Sequence, residues 1–182
     1  MKTNITQALV DEHRLILRMI ALLEKNAPRT AEGNYRNWQF YLDGIDFIRQ
    51  YADSFHHAKE EDILFKALID NGMPKEHSPV AAMLMEHDQG RSFVRAMESA
   101  FHAAQAGHTD TCRAIADNAL GYAALLRDHI SKEDDILYPL AERVIPESMR
   151  TGILQGYQAA EAQVSPGFGE RYQSIVTQYE QE

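Results

Sequence analysis

His56-His57-Ala58-Lys59-Glu60-Glu61-Asp62-Ile63-Leu64-Phe65 aligns without a gap on His129-Ile130-Ser131-Lys132-Glu133-Asp134-Asp135-Ile136-Leu137-Tyr138. Each copy holds H-x-x-x-E, and a spacing of four sets both side chains on one helix face, about one turn apart. The alignment also separates the two adjacent histidines. His129 pairs with His56, so His56 is the inward member, while His57 joins Glu61, Asp62, Asp134 and Asp135 on a solvated charged face. Glu60 and Glu133 fall instead on apolar stripes, where an unpaired carboxylate would be costly.

Outward from the repeat, apolar residues recur at three and four, the period of helices buried along one face. Four segments are predicted, from about Asn4 to Asn26, Asn34 to Asp70, Ser78 to Ala106 and Thr109 to Val144. Ser78-Pro79 reads as an N-cap and first turn, and Asn71-Gly72-Met73-Pro74 and Ala106-Gly107-His108 read as stops. Pro139 predicts a kink or short break in the fourth segment. Each stripe is interrupted by one histidine. His13 fills the series Leu9, Ile16, Ile20, Leu23; His56 falls between Ala52 and Glu60; Val80 and Leu84 precede His87, with Val94 and Met97 after it; Leu126 and Ile136 flank His129 and Glu133.

The turn signals set the level of these histidines. The midpoint of His56 and His87 is Asn71-Gly72, and that of His87 and His129 is His108, so in antiparallel hairpins the imidazoles converge in one layer. Short connections between helices of similar length predict an all-α, up-down-up-down four-helix bundle over residues 1–145. Residues 146–182, broken by Ser165-Pro166-Gly167, are expected to form a helical appendage packed on the same domain.

Four imidazoles and two carboxylates buried together need compensating charge, and two divalent cations would supply it. His13, His56, Glu60, His87, His129 and Glu133 are the candidate ligands. Nitrogen and oxygen donors suit iron, manganese or zinc, and carboxylates from facing helices can bridge two ions. Such a set leaves coordination positions open for an exogenous molecule, and the apolar stripes above and below favour a small neutral one. Cys112 is the one cysteine, which excludes an intrachain disulfide and a cysteine-based zinc cluster; its place on an apolar stripe reads as a small buried hydrophobe. The net charge of -9, with 18 scattered Lys and Arg, argues against nucleic acid. No apolar run reaches membrane-spanning length and the N-terminus lacks a secretory pattern, so a cytoplasmic protein off the membrane is expected.

Four elements in order, Glu12-His13-Arg14, His56-x-x-x-Glu60 running into Ile63-Leu64-Phe65, Glu86-His87-Asp88 with Arg91, and His129-x-x-x-Glu133 running into Leu137-Tyr138-Pro139, resemble the hemerythrin-like, or HHE cation-binding, proteins. The resemblance covers roughly residues 4 to 145. It implies a non-haem di-iron centre that binds, senses or reacts with O2 or NO. The alternatives to that first reading are an iron-handling or regulatory module, an oxidase- or peroxidase-like enzyme, or a structural metal. Oxygen-carrying members have a second histidine four residues after that of the third helix; here the position is Arg91. Trp38, Phe55, Phe65 and Tyr138 are expected to pack the core and keep the site dry.

Overall fold

The computed structural model describes residues 2–106, 108 and 111–182, and among them the chain is all helix and connecting turns. We number six helices. Helix α1 is Gln7–Ala31. Helix α2 runs unbroken through four stretches, Trp38–Phe47, Ile48–His57, Glu60–Leu64 and Phe65–Asp70. Helix α3 is Pro79–Gln105, and α4 joins Thr111–Lys132, Glu133–Leu137 and Tyr138–Val144. Helices α5, Glu147–Glu161, and α6, Phe168–Glu180, complete the chain.

Local chemistry accounts for most boundaries. The Ser78 side chain accepts from the Ala81 N–H at 3.2 Å, capping α3 ahead of Pro79. Gly72, at φ +102°, closes the turn after α2 in a conformation that favours glycine. The expected stop at Gly107 and start at Thr109 lie outside the described residues. Helix α1 passes Pro28 and ends five residues beyond Asn26. Asn26, Ala27 and Thr30 are buried, and Tyr41 donates to Thr30 Oγ1 at 2.7 Å, so packing holds the turn around the proline.

Contacts between neighbouring helices run in opposite senses. Helices α1 and α2 meet at Thr30 with Tyr41 and at Glu12 with His56, and α2 and α3 at Arg49 with Glu98 and at Glu61 with His87. Helices α3 and α4 meet at Glu86 with His129 and at Phe93 with Gly121, and α1 and α4 at His13 with Asp134 and at Glu24 with Arg127. A Cβ on Gly121 would stand 2.5 Å from the Phe93 ring, so a larger residue there requires that ring to move.

The apolar interior divides into two clusters. One is built on Ile16, Leu23, Phe47, Met97, Ala119 and Leu126; the other, toward the opposite end, on Leu9, Leu64, Phe65, Met83, Leu137 and Tyr138. A polar layer of His13, His56, His57, Glu60, His87, His129 and Glu133 contributes the buried charge-bearing groups at the centre. Helices α5 and α6 lie against this body. Ile63 stands 3.2 Å from the Cβ position of Gly156 on α5, and on α6 the Tyr172 and Tyr179 hydroxyls donate to Asp46 and Asp43.

Three stretches of α2 and α4 depart from the ordinary helix. Over Ile48–His57, Glu60–Leu64 and Glu133–Leu137 the hydrogen bonds span five residues, as from the Tyr138 N–H to the Glu133 carbonyl. Such π-turns take in an extra residue and rotate everything after them. This corrects three expectations. Pro139 brings no break, because the widened turn before it leaves α4 continuous into Tyr138–Val144. Ile136, expected inward, is 60 % exposed, and Leu137 is buried in its place. His57, expected in solvent, is 6 % exposed. Cys112, expected to be buried, is only half-buried.

Candidate metal centre

Both copies of the H-x-x-x-E repeat end in a π-turn that begins at the glutamate, at Glu60 and at Glu133. The widened turn sets both carboxylates into the bundle axis, fully buried. The structure brings all six sequence-predicted residues together and adds His57. His13, His56, Glu60 and Glu133 form one group with a donor atom from each within 4.8 Å of the others, and His57, Glu60, His87 and His129 form a second. Glu60 belongs to both.

The carboxylates span the halves. Glu60 Oε2 lies 3.7 Å from His56 Nε2 and 3.5 Å from His87 Nε2. Glu133 places Oε2 at 3.3 Å from His13 Nε2 and Oε1 at 3.3 Å from His129 Nε2. Each therefore contacts one histidine of either half, the placement a bridging carboxylate requires.

The outer nitrogens decide the tautomers. Each imidazole turns Nδ1 to a carboxylate: His13 to Asp134 at 2.8 Å, His56 to Glu12 at 2.9 Å, His57 to Asp53 at 3.3 Å, His87 to Glu61 at 2.7 Å and His129 to Glu86 at 2.9 Å. An Nδ1–H donated outward leaves the Nε2 lone pair facing in, the arrangement that orients metal-binding histidines. The acids are themselves held. Lys59, fully buried and 3.8 Å over the Phe55 ring, donates to Glu12; Lys132 donates to Glu86; Arg91 binds Asp53 and Glu61 at 2.7 Å each. Glu12 with Lys59 and Glu86 with Lys132 are equivalent under the repeat, as are Glu61 and Asp134.

Sequence reasoning missed these carboxylates, although the repetition of Glu12-His13 in Glu86-His87 carried the signal. Glu61 and Asp134, expected on a solvated face, are half-buried and hydrogen-bonded. Tyr138, expected only to pack, donates its hydroxyl to Glu60 and stacks on His13 with ring centroids 5.5 Å apart.

Inward, the donors are in excess. His56 Nε2, Glu60 Oε2 and both Glu133 oxygens are buried without a hydrogen-bond partner, and His87 Nε2 faces His129 Nε2 at 2.9 Å. Two lone pairs at that separation require a proton or a cation between them. Burial alone drives the histidines toward neutrality, and His56 and His57 are held well below the usual imidazole range. At His13 burial is outweighed by Asp134 and Glu133, which push it up to about 9, and His129 is raised by Glu133 and Glu86 against the same burial. Burial and the neighbouring Glu133 charge raise Glu60, whereas His129 and His13 hold Glu133 low despite its burial.

The position after His87 where oxygen carriers have another histidine is Arg91, and here it faces Asp53 and Glu61. The imidazole on that side comes from α2: His57 stacks on His87 with centroids 3.7 Å apart. Among the described residues no helix is long and apolar enough to cross a membrane. The family model described as the hemerythrin HHE cation-binding domain matches residues 4–141. Searches of curated proteins and of solved structures returned no match.

Proposed function

The chain belongs to the hemerythrin HHE cation-binding family, and from that premise we propose that its buried centre holds two iron ions, manganese or zinc being substitutes, and that the reduced centre binds or reacts with O2 or NO. The observation that carries this reading is the set of unpartnered inward atoms on His56, Glu60 and Glu133, with every imidazole turned by a carboxylate to present Nε2. His13 and His56 would serve one ion, His57, His87 and His129 the other, and Glu60 and Glu133 both. Bound iron would supply open coordination positions and one-electron chemistry, because these side chains do not fill two six-coordinate shells. Residues 1–145 would form the metal-binding unit and 146–182 its cover.

The chain's part is to orient, exclude water and hold protons. The two apolar clusters enclose the centre and favour small uncharged visitors over charged metabolites. The Tyr138 hydroxyl, kept protonated by burial and by the Glu133 and Glu60 charges, fixes Glu60 in place.

Elemental analysis of protein grown with iron should give two iron atoms per chain; one zinc, or no metal, would refute the assignment. His57→Ala should lower metal content as His56→Ala does, and metal retained in full by His57→Ala would remove it from the ligands. For the ligand, protein reduced without air is exposed to O2 and to NO in separate samples, and the visible spectrum is followed. A change with either gas is expected. An unchanged spectrum in iron-loaded, reduced protein would favour the iron-handling reading.

A further inference from the structure

A hollow of about 220 Å³ lies on the outside of α3 and α4, walled by Pro79, Ala82, Met83, Ile136 and Leu137, with Lys132 the one charged residue lining it. Ile136 is 60 % exposed there, and Pro79 and Ala82 are exposed beside it. Apolar surface gathered in this way is unfavourable in water and gains from being covered.

The repeat shows what covers such a surface. Matching His56–Phe65 with His129–Tyr138, and Glu12-His13 with Glu86-His87, sets Lys132, Ile136 and Leu137 on Lys59, Ile63 and Leu64, and Pro79, Ala82 and Met83 on Ile5, Ala8 and Leu9. Helix α5 fills that counterpart groove. Its Ile153 and Tyr157 are buried in one cluster with Ile5, Leu9 and Leu64, the Cβ position of Gly156 is 3.2 Å from Ile63, and Glu161 stands 3.6 Å from the Lys59 ammonium. These four residues, at i, i+3, i+4 and i+8, share one helix face.

The charges follow the same equivalence. Lys59 pairs inward with Glu12 and Lys132 with Glu86, but only Lys59 has a second acid, from α5. Lys59 is fully buried, whereas the Lys132 side chain is 42 % exposed. Asp135, beside Ile136, does not bar an acid, since its counterpart Asp62 is exposed beside Ile63 while Glu161 reaches Lys59. Helix α5 itself is held over α2 and tied by the buried Arg150 to Thr3 and Glu142, and α6 is held on Asp43 and Asp46, so neither is free to cover the second groove in this chain or in another copy.

We propose that the groove between α3 and α4 docks an amphipathic helix of a partner protein, which sets a small residue over Ile136 and, five residues on, an acid against Lys132, as α5 does in the counterpart groove. The site stands whatever metal or gas the centre takes.

The probe is a synthetic peptide of Glu147–Glu161, amidated at its C-terminus and held helical by a staple between Thr151 and Gln155, which are exposed on α5. Titrated into the isotope-labelled full chain, it should bind saturably, one per chain, and shift the amide resonances of Ala82, Met83, Ile136 and Leu137. Ile136→Asp in the chain, checked for helicity by circular dichroism, should weaken binding about tenfold or more. In the peptide, Gly156→Leu should abolish binding, and Glu161→Lys should weaken it about fivefold at low salt. No saturable binding, or an unchanged affinity with Ile136→Asp or with Gly156→Leu, overturns the proposal. Shifts confined to Ile63 and Leu64 also overturn it, because the peptide would then have replaced the chain's own α5. A chain that sediments as a dimer and is returned to monomer by Ile136→Asp would assign the groove to a second copy instead.

Discussion

Glu133→Ala should purify with less than one metal ion per chain, where wild-type protein from the same iron-supplied culture is expected to carry two. Glu133 contacts His13 in one half of the centre and His129 in the other, so its removal takes an anion from both. Losing even an outer partner of a metal ligand typically costs about 10- to 100-fold in affinity, and a directly placed carboxylate should cost more. The stability consequence is measurable in wild type. A ligand at 1,000 times its dissociation constant contributes about 4 kcal/mol, and for a chain of this size each kcal/mol is worth roughly 2–4 °C. Removing the metal should therefore lower the melting temperature by about 10 °C. Differential scanning calorimetry on loaded and chelated samples decides it; coincident curves would mean that the metal contributes nothing to stability.

Arg150→Ala should destabilise the chain by about 2–5 kcal/mol, because it empties a fully buried site and removes several hydrogen bonds at once, while the half-buried Glu142 is left in reach of water. The Arg150 side chain is fully buried. It donates to the carbonyls of Thr3, Glu142 and Ile145 and to the Glu142 carboxylate, tying the N-terminal segment, the end of α4 and α5 together. Glu142 in turn accepts from the Ile5 and Thr6 N–H groups at 2.7 and 3.1 Å. Burial raises this carboxyl, but Arg150 and the Ile5 N–H outweigh it and hold the group below its ordinary value of 4.5. A depressed carboxylate contributes stability that is fully present above the unfolded value and is lost as pH falls through the folded one. In urea melts, the gap between wild type and Glu142→Gln should stay constant from about pH 6 to 8 and shrink below about 4.5. A gap that widened on acidification would show that Glu142 does not act as an anion here.

The gapless repeat made four of the six inward residues readable, and His13 and His87 came from the stripes alone, because a histidine or glutamate inside an apolar stripe stands out at helical period. The same period hid His57 and misplaced Ile136. Both follow a π-turn, or sit within one, and a stripe extrapolated at 3.6 residues per turn passes on the wrong side of each. The proline in α4 gave no warning, since the equivalent turn in α2 has Lys66 at the matching position and is widened all the same. Glu12, Glu61, Glu86 and Asp134 look like surface acids in a one-dimensional reading, and only the third dimension shows each one capping an imidazole from a different helix. Arg150 was invisible for a related reason: its partners Thr3 and Glu142 are remote in sequence, and a lone arginine in a polar segment carries no pattern.

The two halves of the repeat have diverged at two places that matter. Where α2 has His57, α4 has Ile130, and where α4 has Tyr138, α2 has Phe65. One half of the centre thus gains an imidazole and the other a phenol. Two equivalent positions would fill at random, but this centre should fill in order, the three-histidine half first, so that at one equivalent of ferrous ion the singly loaded species carries its ion in that half. That intermediate would have an odd electron count on oxidation to the ferric state, and paramagnetic resonance of a sample loaded with one equivalent should reveal an isolated high-spin ion that disappears when the second binds and couples to it.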